Sequence, residues 1–375
     1  MSNQKKYKIY LSPPWQSGDE LLAVQKALES NWLAPGGPYV AMFEDELKRL
    51  TGRKHCLAVN SGTSAIHLAL KALGVGPGDY VICQSFCFVA LANPIVYLGA
   101  IPVFIDIERD TWNMDPNLLE DALKELTGNG IRPKAVLYAH IYGNPAKVHE
   151  LQKVADRYEV PLLEDAAEAL GSTINGNSVG VHGKISIFSF NGNKIVTSSG
   201  GGALLTDDDA IAEVVQILAS QAKDPANSAL HVDIGYNYKL SNICAALGFS
   251  QLQTLSKRVE GKHAIFRFYQ QANEELNILR WTRDQAGAVS NRWISAFLLP
   301  DEETVSKLVT QFENEGIEVR RFWKPMHSMS IYHPQRSFVN GVSEDLFARG
   351  ICLPSGLGLK SAELGLIKGL IKSIH

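Results

Sequence analysis

Apolar residues recur at three- and four-residue intervals over 21–28 and again over 39–50, the period of a helix that buries one face. Between these stretches, Ala34-Pro35-Gly36-Gly37-Pro38 breaks the helix and predicts a turn. A different pattern occupies 56–59, 80–83, 102–106, 134–138, 160–165 and 184–190: short, nearly continuous apolar runs of the kind found in strands covered on both faces. Helical spacing returns over 64–73, 89–98 and 149–158. Strand alternating with helix predicts an α/β fold with a mainly parallel sheet, whose ligands gather at the carboxyl ends of the strands.

Beyond a helical stretch at 210–220 and a polar bend at 223–231, helical spacing from 242 to about 271 predicts one long connecting helix. Segments 293–299, 304–315 and 318–323, with a final helix near 364–374, then read as a mixed unit. At 375 residues the chain exceeds the usual single-core size, so a large α/β domain over 11–250 and a small α+β domain over 251–375 are expected.

Composition narrows the partners. With 45% hydrophobic residues, 20% charged residues and a net charge of −3, the chain is an ordinary globular protein without the basic surplus that nucleic acid requires. The polar start, with Lys5, Lys6 and Lys8, is not followed by the apolar core of a secretory signal, and no apolar run approaches the roughly 20 residues that span a bilayer. A cytoplasmic protein with no membrane partner is expected. Five scattered cysteines (Cys56, Cys83, Cys87, Cys244, Cys352) read as reduced thiols, and Cys83 and Cys87 lack the further ligands of a zinc site, so no metal is expected.

Candidate chemistry concentrates after the strands. Lys194 closes Ser186-Ile187-Phe188-Ser189-Phe190-Asn191-Gly192-Asn193-Lys194, and a lysine whose pKa is lowered by burial or a neighbouring cation can form a Schiff base. Asp165 ends the strand at 160–165, where a carboxylate can pair with a protonated ring nitrogen. Together they point to pyridoxal phosphate, against the plainer possibility of a surface lysine and a capping aspartate. Asn60-Ser61-Gly62-Thr63-Ser64 turns from strand to helix, so Gly62 and Thr63 are candidate phosphate contacts, although the same turn serves simple helix capping. Ser189 can reach the same phosphate, whereas Gly200-Gly201-Gly202 reads as structural. Phe86 and Phe88 either stack on a cofactor or pack the core, and His140 is either a ligand contact or a satisfied core histidine.

In order, Asn60-Ser61-Gly62-Thr63-Ser64-Ala65, Glu164-Asp165-Ala166-Ala167-Glu168-Ala169, Ser189 through Lys194, and Gly235-Tyr236-Asn237-Tyr238-Lys239-Leu240-Ser241-Asn242 resemble the DegT/StrS family over nearly the whole chain. These are fold-type I pyridoxal-phosphate aminotransferases acting on nucleotide-linked keto-sugars. The resemblance implies that Lys194 bonds the cofactor and moves the proton, while Asp165 holds the ring nitrogen protonated. Ala167 would lie beneath the ring, Phe88 on its other face, and Gly62, Thr63 and Ser189 at the phosphate. Glu168, where the family often has Gln or His, would meet the cofactor hydroxyl or the sugar. Asn237 matches a residue that reaches the phosphate from a neighbouring subunit, which implies a homodimer with shared active sites. Dehydrating relatives carry His in place of the lysine, so Lys194 favours transamination, cycling between pyridoxal and pyridoxamine 5'-phosphate with L-glutamate as donor.

Within the family, Leu11-Ser12-Pro13-Pro14, Tyr142-Gly143-Asn144, Asn191-Gly192-Asn193-Lys194-Ile195 and Gly350-Ile351-Cys352-Leu353-Pro354-Ser355-Gly356 are most similar to the bacillosamine-type 4-aminotransferases. Those enzymes act on UDP-4-keto-6-deoxy-N-acetylglucosamine. Perosamine-forming enzymes, which use a GDP-sugar, share the Gly-Asn-Lys element, so transfer to a GDP-linked keto-sugar, or transfer at carbon 3, is the enzymatic alternative. Asn291-Arg292-Trp293 and Arg320-Arg321-Phe322-Trp323-Lys324-Pro325-Met326-His327 combine cations able to bind a pyrophosphate with aromatics able to stack on a base or sugar; Trp323 and His327 are the candidate substrate contacts, with a charged surface and core tryptophans as the other reading. A cofactor- or sugar-sensing regulator is the non-enzymatic alternative, against which Lys194 and Asp165 argue.

Overall fold

The computed structural model describes residues 7–374, and Lys5 and Lys6 lie outside the described residues. Helices α1 (Glu20–Glu29) and α2 (Pro38–Thr51) lead into β1 (His55–Val59) and α3 (Gly62–Ala72). The alternation continues through β2 (Tyr80–Gln84), α4 (Asn93–Tyr97), β3 (Ile101–Ile105), α5 (Pro116–Gly128), β4 (Ala135–Ala139), α6 (Val148–Arg157) and β5 (Leu162–Asp165). A hairpin of β6 (Thr173–Ile174) and β7 (Asn177–Ser178) precedes β8 (Ile185–Ser189), β9 (Gly202–Thr206) and α7 (Asp209–Leu218). Helices α8 (Asn242–Leu252) and α9 (Leu255–Leu276) then lead to β10 (Ala288–Val289), β11 (Ser295–Leu298), α10 (Glu302–Asn314) and β12 (Arg320–Arg321). The chain closes with β13 (Ser337–Phe338), α11 (Val342–Arg349), β14 (Gly350–Leu353) and α12 (Ser361–Lys372).

The principal sheet has eight strands in the order β1-β9-β8-β5-β4-β2-β3-β13. Its pairs are parallel except around β9, which runs against both β1 and β8. That reversal matters for the site: the chain returns beside β8 without crossing the sheet, so the intervening loop, which carries Lys194, stays at the carboxyl end of β8. The expected mainly parallel α/β sheet is thus present, and the wholly buried β4 shows why its strands read as continuous apolar runs. A second core lies under the three-stranded sheet β11-β14-β12. Val305, Leu308 and Phe312 of α10 and Ile265, Phe266 and Tyr269 of α9 are all buried in that core, each set at the spacing of one helical face. Segments after residue 251 also return to the first unit, where β13 pairs with β3 and β10 with β6.

Two predicted helices are divided. The expected helix over 89–98 is a 3-10 turn at Val89–Leu91 followed by α4, because Pro94 has no N–H to continue a helix but is accepted in the first turn of a new one. The expected long helix from 242 to about 271 breaks between α8 and α9. There the Thr254 backbone N–H and hydroxyl both donate to the Gln251 carbonyl, at 3.1 and 3.0 Å, and the Gln251 side chain donates to the Trp15 carbonyl and accepts the Thr197 N–H. The periodicity of the sequence does not single out β9, α5, α11 or β14.

Beneath β5 lies a buried polar network. Glu164, fully buried, accepts from His140 Nε2 at 2.9 Å, Gly180 N–H at 2.7 Å, His182 N–H at 2.8 Å and the Ser186 hydroxyl at 2.9 Å. Burial alone would raise its pKa, but the hydrogen bond from His140 and the N–H of Gly180 outweigh burial and hold the carboxyl well below its ordinary 4.5. His140 Nδ1 accepts the Ala146 N–H, so the ring proton sits on Nε2, facing Glu164. His140 is therefore the satisfied core histidine of the two readings, with a face at the cavity described below.

Steric room is equally exacting at Gly202. A Cβ there would fall 2.4 Å from the Ser61 carbonyl carbon and 2.5 Å from Gly62 N, both backbone atoms. Gly202→Ala is expected to cost about 1–3 kcal/mol and to weaken cofactor binding by pushing the start of α3 outward, as melting and cofactor titration would report. Glu164 yields a pH prediction. Because its folded pKa is depressed, its stabilisation is complete above about 4.5 and is lost as pH falls toward about 2. Glu164→Gln should destabilise by about 2–3 kcal/mol at neutral pH and flatten that acid limb, measured by urea unfolding at stepped pH.

Candidate active site

The carboxyl ends of β1, β2, β4, β5 and β8 surround a cavity of about 400 Å³. Gly62, Thr63, Phe88, Asp165, Ala167, Glu168, Ser189 and Lys194 line it, although they are spread over 133 positions of sequence (62–194). Trp323 lines it too. Phe86, the other aromatic considered, is fully buried in the core, whereas Phe88 is 54% exposed at the cavity wall.

One end of the cavity is suited to an anion. Ser61 caps α3 by accepting the Ser64 N–H at 3.0 Å, and the Ser64 hydroxyl donates to Asn60 Oδ1 at 2.7 Å. The first backbone N–H groups of a helix have no partner within it and carry partial positive charge. A Cβ on Gly62 would sit 3.1 Å from Ser189 Cβ and 3.4 Å from its hydroxyl oxygen, so glycine lets that hydroxyl reach the helix start.

The other end holds the ionisable groups. Lys194 Nζ lies 3.3 Å from Glu168 Oε1 and 4.1 Å from the centroid of the Trp293 ring, over its face. Glu168 Oε2 accepts the Tyr142 N–H at 2.8 Å, which helps to hold Tyr142 at a φ of 53°. Asp165 Oδ1 accepts the Ala167 N–H at 3.0 Å, and among the described residues its Oδ2 takes no hydrogen bond. Burial raises the pKa of Asp165 and of Glu168, and the Lys194 charge and these N–H groups oppose it. Asn193 Oδ1, also at this wall, is buried and among the described residues has no hydrogen-bond partner. A helix start with hydroxyls at one end, and a lysine with a desolvated carboxylate at the other, fit the phosphate, aldehyde and ring nitrogen of pyridoxal phosphate.

Other expectations meet a different geometry. His327 does not line the cavity: Nδ1 is 2.6 Å from the Ser85 hydroxyl and Nε2 2.6 Å from Glu344, so both ring nitrogens are engaged. Trp323 stacks on Tyr142 with ring centroids 4.9 Å apart and planes 20° from parallel, so that face is already covered. Arg320 and Arg321 reach the cavity rim, whereas Arg292 turns to Asp284 and the Phe266 ring. Asn237 is exposed and outside the cavity of its own chain, and its carbonyl accepts from Asn60 Nδ2 at 3.3 Å. Trp293 lies beside Lys194 and Tyr142 beneath Trp323, positions that only the fold creates and that no local stretch of sequence marks. Among the described residues no group of three His, Cys, Asp or Glu side chains is placed to hold a metal, and no helix is long and apolar enough to cross a membrane.

Comparison with known proteins agrees with this geometry. The profile of the DegT/DnrJ/EryC1/StrS aminotransferase family matches residues 15–371. The chain is 48% identical over 373 residues to EpsN of Bacillus subtilis (strain 168), described as a pyridoxal phosphate-dependent aminotransferase, with 98% of this chain and 96% of EpsN covered. It is 34% identical to the GDP-perosamine synthase of Vibrio cholerae, covering 96% and 97% of the two chains. Among solved structures, an aminotransferase of the same family from Brucella abortus superposes with a TM-score of 0.89 at 29% identity over 95% of each chain. DesI, solved with its TDP-sugar product, gives 0.86 at 26% identity, covering 99% of this chain and 93% of DesI. The chain belongs to the DegT/DnrJ/EryC1/StrS aminotransferase family and is a pyridoxal phosphate-dependent sugar aminotransferase.

Proposed function

We propose that the chain moves an amino group from L-glutamate to carbon 4 of a UDP-linked 4-keto-6-deoxy-N-acetylamino sugar, giving the UDP-4-amino-4,6-dideoxy sugar. The meeting of Lys194, Glu168 and Asp165 at one end of a cavity whose other end suits a phosphate carries this reading. Pyridoxal phosphate, when bound, supplies the electron sink that makes the proton on the substrate carbon removable. In this reading Lys194 Nζ anchors the cofactor and, once released, carries the proton between cofactor and sugar carbons. Asp165 keeps its negative charge against the ring nitrogen, which cancels the desolvation that raises its pKa. Gly62, Thr63 and Ser189 hold the phosphate, Ala167 and Phe88 enclose the ring, and Glu168 meets the cofactor hydroxyl or sugar. Arg320 and Arg321 supply positive charge for a nucleotide diphosphate at the rim, beside Trp323.

GDP-perosamine synthases at 32–34% identity favour a second reading, the same transfer to a GDP-linked keto-sugar. In either case the enzyme works as a cytoplasmic homodimer with Asn237 reaching the partner's phosphate site. Exposure of Asn237 beside Leu230, Val232 and Ile234, which are 54%, 58% and 80% exposed, supports that arrangement.

Absorbance of the protein with pyridoxal phosphate, before and after L-glutamate, should show a band that glutamate shifts and that Lys194→Ala abolishes. Turnover should then be at least about tenfold faster with the UDP-linked 4-keto sugar than with its GDP- and dTDP-linked counterparts. Preference for the GDP-sugar would establish the second reading, and no turnover of any nucleotide keto-sugar would sink both. Shared sites make a separate prediction: mixing inactive Lys194→Ala with inactive Asn237→Ala should restore about a quarter of wild-type activity through hybrid dimers. A mixture that stays inactive after subunit exchange, verified by mass spectrometry, would remove Asn237 from the partner's site.

A further inference from the structure

The Ser85, His327 and Glu344 side chains form a hydrogen-bonded chain behind the cavity wall. Ser85 accepts the His327 backbone N–H at 3.1 Å, so its own hydroxyl hydrogen is free to be donated to Nδ1, 2.6 Å away. Nε2 then carries the ring proton toward Glu344 Oε1 at 2.6 Å. The order of groups is that of a serine hydrolase, but Ser85 is fully buried, which leaves no approach for a substrate carbonyl. A positional role fits better. Ser85 directly follows β2 and precedes the turn bearing Phe88, and its carbonyl accepts the Met326 N–H at 2.9 Å. Glu344 sits in the first turn of α11, whose start is fixed by Asp106, which accepts from Asn340, Gly341 and Ser343 N–H. Trp323 lies between two tethers: Phe322 N–H to the Gly350 carbonyl on one side, and Met326 with His327 on Ser85 on the other.

We infer that His327 is a positioning residue, and that Ser85-His327-Glu344 clamps the Trp323 segment to the Phe88 turn and so sets the sugar-nucleotide side of the cavity. Its kinetic consequence rests on the sugar-aminotransferase reading above, whereas the clamp itself does not.

The test uses the cofactor-loaded enzyme with Glu344→Ala, Glu344→Gln and Ser85→Ala. Glu344 is 46% exposed in its side chain, so its variants are expected to fold. Backbone hydrogen exchange should rise together over 322–328 and 85–91 in Glu344→Ala and Ser85→Ala, while Glu344→Gln, which still accepts from Nε2, stays near wild type. KM for the nucleotide sugar should rise about tenfold or more in the two alanine variants, with the glutamate-driven absorbance change slowed no more than about twofold. Unchanged exchange in either segment, a Glu344→Gln variant as impaired as Glu344→Ala, or equal loss in both half-reactions would overturn the inference. If wild type turns over no nucleotide sugar, the proposed function fails while the exchange measurement still decides the clamp.

Discussion

Two adjacent carboxylates on one buried strand set the terms for the rest of the molecule. Alternation along β5 sends Glu164 and Asp165 to opposite sides, and neither can remain charged in an apolar sheet without compensation. Glu164 is compensated from within by four donors from three segments. Asp165 receives one backbone N–H and is otherwise left to the cavity. The difference makes one residue structural and gives the other an unmet demand for positive charge, which a protonated ring nitrogen would answer.

The same division between groups satisfied from within the fold and groups turned to the cavity runs through the site. His140, beside Asp165, has both ring nitrogens occupied and stabilises the floor. Lys194 instead has a carboxylate at 3.3 Å and an aromatic face beneath it, contacts that hold an amine without fixing it in place. The antiparallel return of β9 keeps the lysine loop at the correct end of the sheet, and the absence of a side chain on Gly202 lets that strand abut the helix that opens with Gly62. Thus the sheet order and one steric allowance bring an anion site and an amine into a single cavity.

Much of this is legible in the sequence. Apolar strands alternating with helices require a doubly covered sheet, and Gly62 and Lys194 follow a strand while Asp165 and Ser189 lie at the carboxyl end of one, where such sheets bind ligands. The divided helices were harder to read, since Pro94 competes with favourable spacing and the break at Thr254 depends on a side chain pairing with a carbonyl three residues back. His327 shows the limit from the other direction. A histidine beside arginines and a tryptophan suggests a ligand contact, yet its nitrogens are taken by Ser85 and Glu344, from segments 242 residues before and 17 after it.

The sequence by itself determined the fold class, the family, and the residue types able to hold a phosphate, a ring nitrogen and an aldehyde, because these depend on local periodicity and on short motifs. Only the tertiary structure decided which of them share a cavity, that Trp293 lies against Lys194, and that Trp323 is already stacked on Tyr142. Those outcomes depend on contacts between residues far apart in the chain, whose side chains are directed by sheet order and by competition for buried hydrogen bonds, and neither is written in any local stretch of sequence.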